Sequence, residues 1–158
     1  MKHILYNLLM ILPLTFLFGC NQEDDINEIF ANGQTWHWSS SYNTTNWEDN
    51  NKFTDCMDKN EKEQINKNQD AYIIKFNDDG SIEGKGSTFT FTGQWNANGS
   101  DHSFFINIKV NQNPSGLDKI FHDELTQARF YRGDSRILKL FNDAKNHYIQ
   151  FYPVGSIN

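Results

Sequence analysis

Four histidines outside the N-terminal segment are the residues best suited to metal or acid–base chemistry, but their spacing is irregular. His37, His102, His122 and His147 contain no pair four residues apart, and none lies beside a C-x-x-C motif. Zinc sites depend on such spacing because one short element must present two ligands to the same ion. We therefore expect no metal site and no cofactor.

The acidic residues raise two other possibilities, a calcium loop and a catalytic carboxylate pair. Asp49, Asp55 and Asp58 form one loose run and Asp78 and Asp79 another, but neither reproduces the glycine and terminal glutamate of an EF-hand loop. Turns and solvated surface explain both runs. A carboxylate pair for glycoside hydrolysis is defined by its separation in space, which a sequence does not give. We find no catalytic constellation and expect a protein that is not an enzyme.

The charge balance argues against one class of partner. The 158 residues include 20 acidic and 14 basic side chains, which gives a formal net charge of −6. Nucleic-acid binding depends on clustered Lys and Arg that neutralise phosphates. We therefore expect no nucleic-acid partner.

The first residues have the pattern of an export signal. Lys2 and His3 precede an apolar run over residues 4–18, which is shorter than the ~20 residues of a spanning helix. The run ends at Leu17-Phe18-Gly19-Cys20, which resembles the bacterial lipobox. That resemblance implies removal of residues 1–19 and lipidation of Cys20, and several acyl chains would hold the protein stably at a membrane. An ordinary secreted protein is the alternative.

Residues 20–33 are expected to form the lipid anchor and an acidic tether. The acidic stretch at residues 21–25 resembles the export signal that sends Bacteroidetes lipoproteins to the outer face of the cell, and a solvated spacer is the alternative explanation. We expect a lipid anchor in the outer membrane, with periplasmic or surface orientation left open.

Lipidation of Cys20 would leave Cys56 as the remaining thiol. The neighbouring acids Asp55 and Asp58 should raise its pKa and reduce its nucleophilicity. An unreactive cysteine is therefore expected, with a reactive thiol or an intermolecular disulfide as the alternative.

Alternation of apolar and polar residues predicts a single, mainly β domain of the α+β class over residues 34–158. Tight turns such as Asp79-Gly80 favour antiparallel pairing, and Gly93 suggests a bulge or a close backbone approach. The predicted strands span residues 35–39, 72–76, 81–86, 88–96, 104–110, 128–132, 136–141 and 147–152.

One helix and one polar insertion complete the predicted domain. Apolar residues recur at helical spacing over residues 117–127, so one helix should pack against a curled sheet or partial barrel of about seven to eight strands. The insertion covers about residues 39–70. We expect residues 39–51 to form a loop and residues 58–70 a solvated surface segment, with a short polar helix as the alternative.

The aromatic residues divide into two groups by strand periodicity. One group is predicted to face the core: Trp36, Trp38, Phe89, Phe91 and Trp95. Another group lies in the polar loop or on the opposite strand faces: Trp47, Tyr131, Phe141, Tyr148 and Tyr152. If exposed, the second group would suit stacking on sugars or contact with a protein. The favoured interpretation is that the helix or a second layer covers this face.

The order of several motifs resembles the META domain, the HslJ-like family, and more closely a divergent branch of META-like lipoproteins of Bacteroidetes. Residues 76–84 match its F…dG…G hairpin, residues 91–95 its f-x-G-x-[YW] strand and residues 33–36 its opening G-x-x-W. Phe121-x-x-x-Leu125 and the strands after it also match. The resemblance implies an antiparallel β domain with one helix and no agreed reaction.

Together these features predict a lipid-anchored cell-envelope protein of unknown molecular activity. A non-catalytic module for protein binding or envelope maintenance is the first expectation. The alternative is a surface glycan-binding module that uses exposed aromatic side chains.

Overall fold

The computed structural model describes residues 25–156. In this part of the chain, nine strands form one curled, unclosed antiparallel sheet, and three helices accompany it. The sheet order is β6-β5-β4-β3-β1-β9-β8-β7, with β2 paired to β1 beside this row. The predicted mainly β, mostly antiparallel fold is confirmed. The strands are β1 Trp36–Thr44, β2 Phe53–Asp55, β3 Ile73–Phe76, β4 Ser81–Lys85, β5 Thr90–Ala97, β6 Phe104–Val110, β7 Ala128–Asp134, β8 Ile137–Asn142 and β9 His147–Pro153. The helices are α1 Ile26–Phe30, α2 Lys59–Asn66 and α3 Leu117–Gln127.

The two edge strands of this sheet, β6 and β7, approach each other without forming a ladder. A single antiparallel bridge joins Ser103 to Phe130, and the Tyr131 N–H donates to the His102 carbonyl at 2.9 Å. The curl therefore creates an interior that large side chains must fill.

Helix α3 has the predicted bounds and supplies the side chains for one end of that interior. Phe121 and Leu125 are fully buried. The Phe121 ring stacks on Trp38 with centroids 5.5 Å apart and lies 6.1 Å from the ring of Phe91. Such aromatic pairs are stabilising beyond the area that they bury.

A buried carboxylate fixes the start of α3 to the sheet. Asp118, in the first turn, accepts hydrogen bonds from the backbone N–H groups of Ser87 at 2.6 Å and Thr88 at 2.9 Å. These bonds satisfy the donors of the turn between β4 and β5, so the helix and this hairpin are held in one arrangement.

Helix α1 fills the other end of the interior. Phe30 is fully buried, and its ring lies 5.0 Å from Trp95 on β5, 5.5 Å from Phe104 on β6 and 5.0 Å from Tyr131 on β7. Residues 20–33 were expected to form a lipid anchor and a tether, but α1, which lies within that segment, packs in the core. The expected signal peptide, residues 1–19, and Cys20 lie outside the described residues.

The polar insertion contains more regular structure than its composition suggests. Strand β1 continues to Thr44, so the loop expected over residues 39–51 is wrong for its first part, because pairing with β9 and β2 extends the strand. Residues 59–66 form α2, capped by Asp58 and Glu61 in a capping box. Ile65 is fully buried, and the Asn66 side-chain amide donates to the Ser39 carbonyl of β1 at 3.1 Å, so one apolar side chain and one hydrogen bond hold this polar helix in place.

Gly93 permits the close approach of two strands. It pairs with Ile108 in an unbroken register between β5 and β6, so the structure has a close approach here and no bulge. A Cβ at this position would overlap the backbone carbonyl of Asn107.

The position of Phe30 generates a stability prediction. Phe30→Ala should lower the free energy of unfolding by roughly 3–5 kcal/mol, because the cavity would open between three strands of the core. Asn27→Ala, at an exposed position of the same helix, serves as the control and should change stability by about 0.5 kcal/mol or less. Urea unfolding followed by circular dichroism measures both, and equal midpoints for the two variants would contradict the assignment of Phe30 to the core.

Candidate functional site

The aromatic residues predicted to face the core do so. Each has 7% or less of its surface exposed: Trp36, Trp38, Phe89, Phe91 and Trp95. Tyr131 was predicted on the opposite face but is fully buried against Phe30. A register shift between Ala128 and Phe130 reverses the alternation of β7, so Tyr131 points inward and Phe130 outward.

The rest of the predicted outer aromatic face is largely covered by a second layer. Residues 45–52, here called the cover loop, fold back over β7 and β8. The Trp47 ring lies 5.7 Å from Phe141 and 6.0 Å from Phe130. Phe141 and Tyr148 are 2% and 4% exposed. The favoured interpretation, that this face is covered, is therefore confirmed for these two residues.

Cationic side chains hold the cover loop in place. The Arg132 guanidinium donates to the Trp47 carbonyl at 2.6 Å, and the Lys139 ammonium donates to the Asn50 side chain at 3.0 Å. The Lys145 ammonium lies 4.0 Å from the centre of the Trp47 ring. Trp47 thus serves to fix this loop by packing and cation–π contact.

A groove of about 510 Å³ remains open beside the cover loop. We call it the tyrosine groove. Its aromatic lining is Tyr42, Phe53, Tyr148 and Tyr152. Phe53 is 51% exposed, while Tyr42 and Tyr152 are half-buried. The volume is within the range of small-ligand sites.

Burial raises the pKa of two phenol groups of the groove, those of Tyr148 and Tyr42. It raises the pKa of Tyr148 to about 12, with smaller contributions from Tyr42 and Tyr152. The Tyr152 hydroxyl accepts a hydrogen bond from the Gln150 amide at 3.1 Å. The groove therefore offers ring faces together with neutral hydrogen-bonding groups.

The floor of the tyrosine groove carries positive charge. Arg132 and Lys139 lie directly opposite each other in the register of β7 and β8, an arrangement of like charges that is destabilising. Lys139 is 8% exposed, and burial, with the charge of Arg132, lowers its pKa. Asp134, the acidic residue in the lining of the groove, forms an ion pair with Arg136 at 2.9 Å. An anionic group bound in the groove would relieve this repulsion.

The histidines lie in separate places in the described part of the chain. His37 is buried with Nδ1 2.9 Å from the Ala71 carbonyl, and burial lowers its pKa. His122 contacts Asp123 on the surface of α3, and His102 lies in the turn before β6 with its ring 5.4 Å from that of Tyr131. Over residues 25–156 no three His, Cys, Asp or Glu side chains are grouped closely enough to hold a metal.

The acidic residues considered as calcium ligands have local structural roles. Asp58 caps α2, and Asp79 accepts the Ser81 N–H at 2.8 Å in the hairpin turn. Asp55 pairs with the Lys62 ammonium at 2.5 Å. Turn formation and surface pairing therefore explain these residues, as the sequence suggests.

The fourth histidine, His147, belongs to a polar cluster that the sequence did not reveal. Its Nε2 lies 3.0 Å from Glu124 Oε1, and its Nδ1 lies 2.9 Å from Asn43 Oδ1 and 3.8 Å from the Cys56 sulfur. The four residues come from α3, β1, β9 and the segment after β2. No spacing rule connects such positions, because the pairing of β1 with both β2 and β9 creates their proximity.

The curled antiparallel sheet, filled by phenylalanines from two helices and carrying a groove on its outer face, defines a small, mainly β domain of the α+β class. Its family follows from the sequence model that matches residues 21–153: the chain belongs to the DUF4847 family, a domain of unknown function. A crystal structure of a DUF4847 family protein from Bacteroides vulgatus is similar, with a TM-score of 0.66 and 33% sequence identity. The match covers 80% of this chain and 96% of that one. No curated protein matches the chain.

The family assignment corrects the resemblance to the META domain. The DUF4847 match spans most of the chain and agrees with the structural neighbour, so the META assignment is wrong. The motifs that suggested it are hairpin glycines and aromatic strand positions, which any antiparallel sheet with an aromatic core requires. They predicted the fold class and misled on the family.

No helix within residues 25–156 has the length and apolar character to cross a membrane.

The packing of the cover loop generates a second stability prediction. Trp47→Ala should reduce the free energy of unfolding by roughly 1.5–3 kcal/mol, because it uncovers Phe141 and removes one large apolar side chain from contact. Far-ultraviolet circular dichroism in urea measures the change without relying on tryptophan emission. Glu48→Ala, at the exposed next position, should leave the midpoint nearly unchanged. A Trp47→Ala midpoint equal to that of Glu48→Ala would mean that the loop does not depend on this ring.

Proposed function

We propose that the protein is a lipid-anchored cell-envelope protein that binds a carboxylate-bearing carbohydrate in the tyrosine groove without transforming it. The observation that carries this proposal is the combination of aromatic walls and a cationic floor in one groove. A sugar ring presents an apolar face for stacking and an edge of hydroxyl groups for hydrogen bonds, and both kinds of partner are present.

The charge of the floor specifies the class of saccharide. Lys139 is nearly buried, and its described polar contact, the side-chain oxygen of Asn50, is uncharged. Buried charges in proteins are normally compensated by an opposite charge. A uronic-acid carboxylate placed near Lys139 and Arg132 would supply that compensation, so acidic saccharides should bind more tightly than neutral ones.

The composition of the groove favours binding over catalysis. Of the residues that line it, Asp134 is the acidic one, and Arg136 already pairs with it. Glycoside hydrolysis in most families uses two carboxyl groups that flank the scissile bond. The cover loop also favours a glycan over a flat protein partner, because it occupies the broad aromatic face and leaves a narrow groove.

The envelope location rests on Cys20 and on its distance from the folded domain. Residues 21–24 separate Cys20 from the first described residue, Asp25, which caps α1. The five residue steps from Cys20 to Asp25 span at most about 18 Å when fully extended. If Cys20 carries lipid, the domain is held close to the membrane surface, within reach of envelope polysaccharide.

The groove proposal predicts a specific pattern of saccharide affinities. A glycan array carrying neutral and uronic-acid oligosaccharides, followed by calorimetric titration of oligogalacturonate and neutral galactooligosaccharide, should show preference for the acidic ligand. Tyr152→Ala should weaken that binding about tenfold or more, since it removes a stacking face. Lys139→Met keeps the length of the side chain and removes its charge, so it should reduce the preference for the acidic ligand and leave only the contribution of Arg132.

The control for this experiment is Phe105→Ala, which removes another exposed aromatic side chain, one on β6 outside the groove. It should leave the affinity for oligogalacturonate unchanged. If no saccharide on the array binds, or if Phe105→Ala weakens binding as much as Tyr152→Ala does, the groove is not a glycan site.

The lipid anchor predicts a separate result in cells. Cys20→Ser should abolish incorporation of a labelled fatty acid and release the protein from the outer-membrane fraction, because one thiol carries the modification. Cys56→Ser is the matched control and should keep both label and location. Incorporation of the label into Cys20→Ser protein would show that the lipid is attached elsewhere, and wild-type protein without label would show that no lipid anchor exists.

A further inference from the structure

Cys56, His147 and Glu124 form a continuous row of side chains apart from the residues that line the tyrosine groove. The Cys56 sulfur lies 3.8 Å from His147 Nδ1, and the opposite ring nitrogen, Nε2, lies 3.0 Å from Glu124 Oε1. A nucleophile, a base within reach of it and a third group that orients the base are the parts of an activated nucleophile. Cys56 is exposed, so a reagent from solvent can reach the sulfur.

Glu124 is itself held in a fixed position. Its second oxygen, Oε2, accepts a hydrogen bond from the Ser41 hydroxyl, and that hydroxyl accepts one from the Trp38 indole N–H at 3.1 Å. Ser41 and Trp38 are fully buried on β1. The carboxylate that faces His147 is therefore tied to the core, and it fixes the orientation of the imidazole.

Two side-chain oxygens contact the imidazole, one at each ring nitrogen. Glu124 presents a carboxylate oxygen to Nε2, and Asn43 presents its side-chain oxygen to Nδ1 at 2.9 Å. Both are acceptors, so both ring nitrogens are satisfied when each carries hydrogen. This is the form that results when His147 has taken a proton from the Cys56 thiol.

The thiol needs such a base in order to react at neutral pH. Burial raises the pKa of Cys56, and the negative charges of Glu124 and Asp55 raise it further. The sulfur is therefore largely protonated, as its acidic neighbours in the sequence suggest. Attack on an electrophile then requires removal of the proton during the reaction.

We propose that Cys56, His147 and Glu124 form a thiol-exchange site for small disulfides, with His147 as the base and Glu124 as its positioning residue. His147 Nδ1 takes the S–H proton while the Cys56 sulfur attacks one sulfur of R–S–S–R. A bond forms between Cys56 and that sulfur, the R–S–S–R bond breaks, and the leaving sulfur takes the proton and departs as R–SH. The disulfide is the oxidant, and the site supplies only the thiol and the base.

The local backbone favours a disulfide over a carbonyl substrate. The N–H of Cys56 donates to the Ser41 carbonyl at 3.0 Å, and the N–H of Met57 donates to Asp55 Oδ1 at 3.0 Å. The backbone donors at and after the nucleophile are therefore engaged, whereas acyl transfer requires free donors for an oxyanion. Thiol exchange places the departing charge on sulfur and needs no such donors.

The experiment uses the full chain in detergent with Cys20→Ser, so that Cys56 is its one remaining thiol. The probe is dithiodipyridine, a neutral disulfide whose released thiopyridone is followed by absorbance, and mass spectrometry confirms the mixed disulfide on Cys56. In this background, His147→Gln should slow exchange about tenfold or more at neutral pH, because general-base assistance is lost. An unchanged rate in His147→Gln would overturn the proposal.

A pair of carboxylate substitutions separates a positioning role for Glu124 from a purely electrostatic one. Both Glu124 and Asp55 raise the pKa of Cys56 by their charge, but of these two only Glu124 orients His147. Asp55→Asn should therefore speed exchange, while Glu124→Gln should slow it severalfold. If both substitutions speed exchange, Glu124 acts only through its charge and the proposed site does not exist. The result is independent of saccharide binding, because none of the three residues lines the tyrosine groove.

Discussion

Aromatic packing inside the curled sheet is the interaction on which the rest of the structure depends. Nine strands curl until β6 and β7 nearly meet, and the enclosed space is filled largely by aromatic side chains. Phe121 from α3 and Phe30 from α1 occupy it from two ends. Close-packed interiors tolerate few voids, so the positions of both helices follow from the positions of these two rings.

The placement of α3 has consequences outside the core. With Phe121 and Leu125 directed inward, Glu124 on the same helix contacts Ser41 on β1 and His147 on β9. Helix α3, which completes the hydrophobic core, thus also supplies the carboxylate that contacts His147 beside the exposed thiol of Cys56. The packing of α3 fixes the position of Glu124, which in turn contacts His147 beside Cys56. A reactive group is preorganised when its supporting residues are fixed in this way.

The outer face of the sheet shows how one loop divides an aromatic surface. The cover loop packs Trp47 over Phe141 and Phe130 and is held by Arg132 and Lys139. What it leaves open is the tyrosine groove, with the same two cations in its floor. The charges that fix the loop are therefore also those on which the proposed preference of the groove for an anion depends, and the two properties should vary together within the DUF4847 family.

The sequence by itself determined eight of the nine strands, their antiparallel pairing and helix α3, because residue periodicity and turn chemistry are local properties of the chain, whereas the short strand β2 was not predicted. It also predicted the inward aromatic residues. Tertiary structure alone decided that Phe30 belongs to the core, that a register shift turns Tyr131 inward and that Trp47 covers Phe141. Contacts such as that between Cys56 and His147 join positions 91 residues apart. No local rule specifies such contacts, since they arise only when the whole sheet has formed and has brought β1, β2 and β9 together.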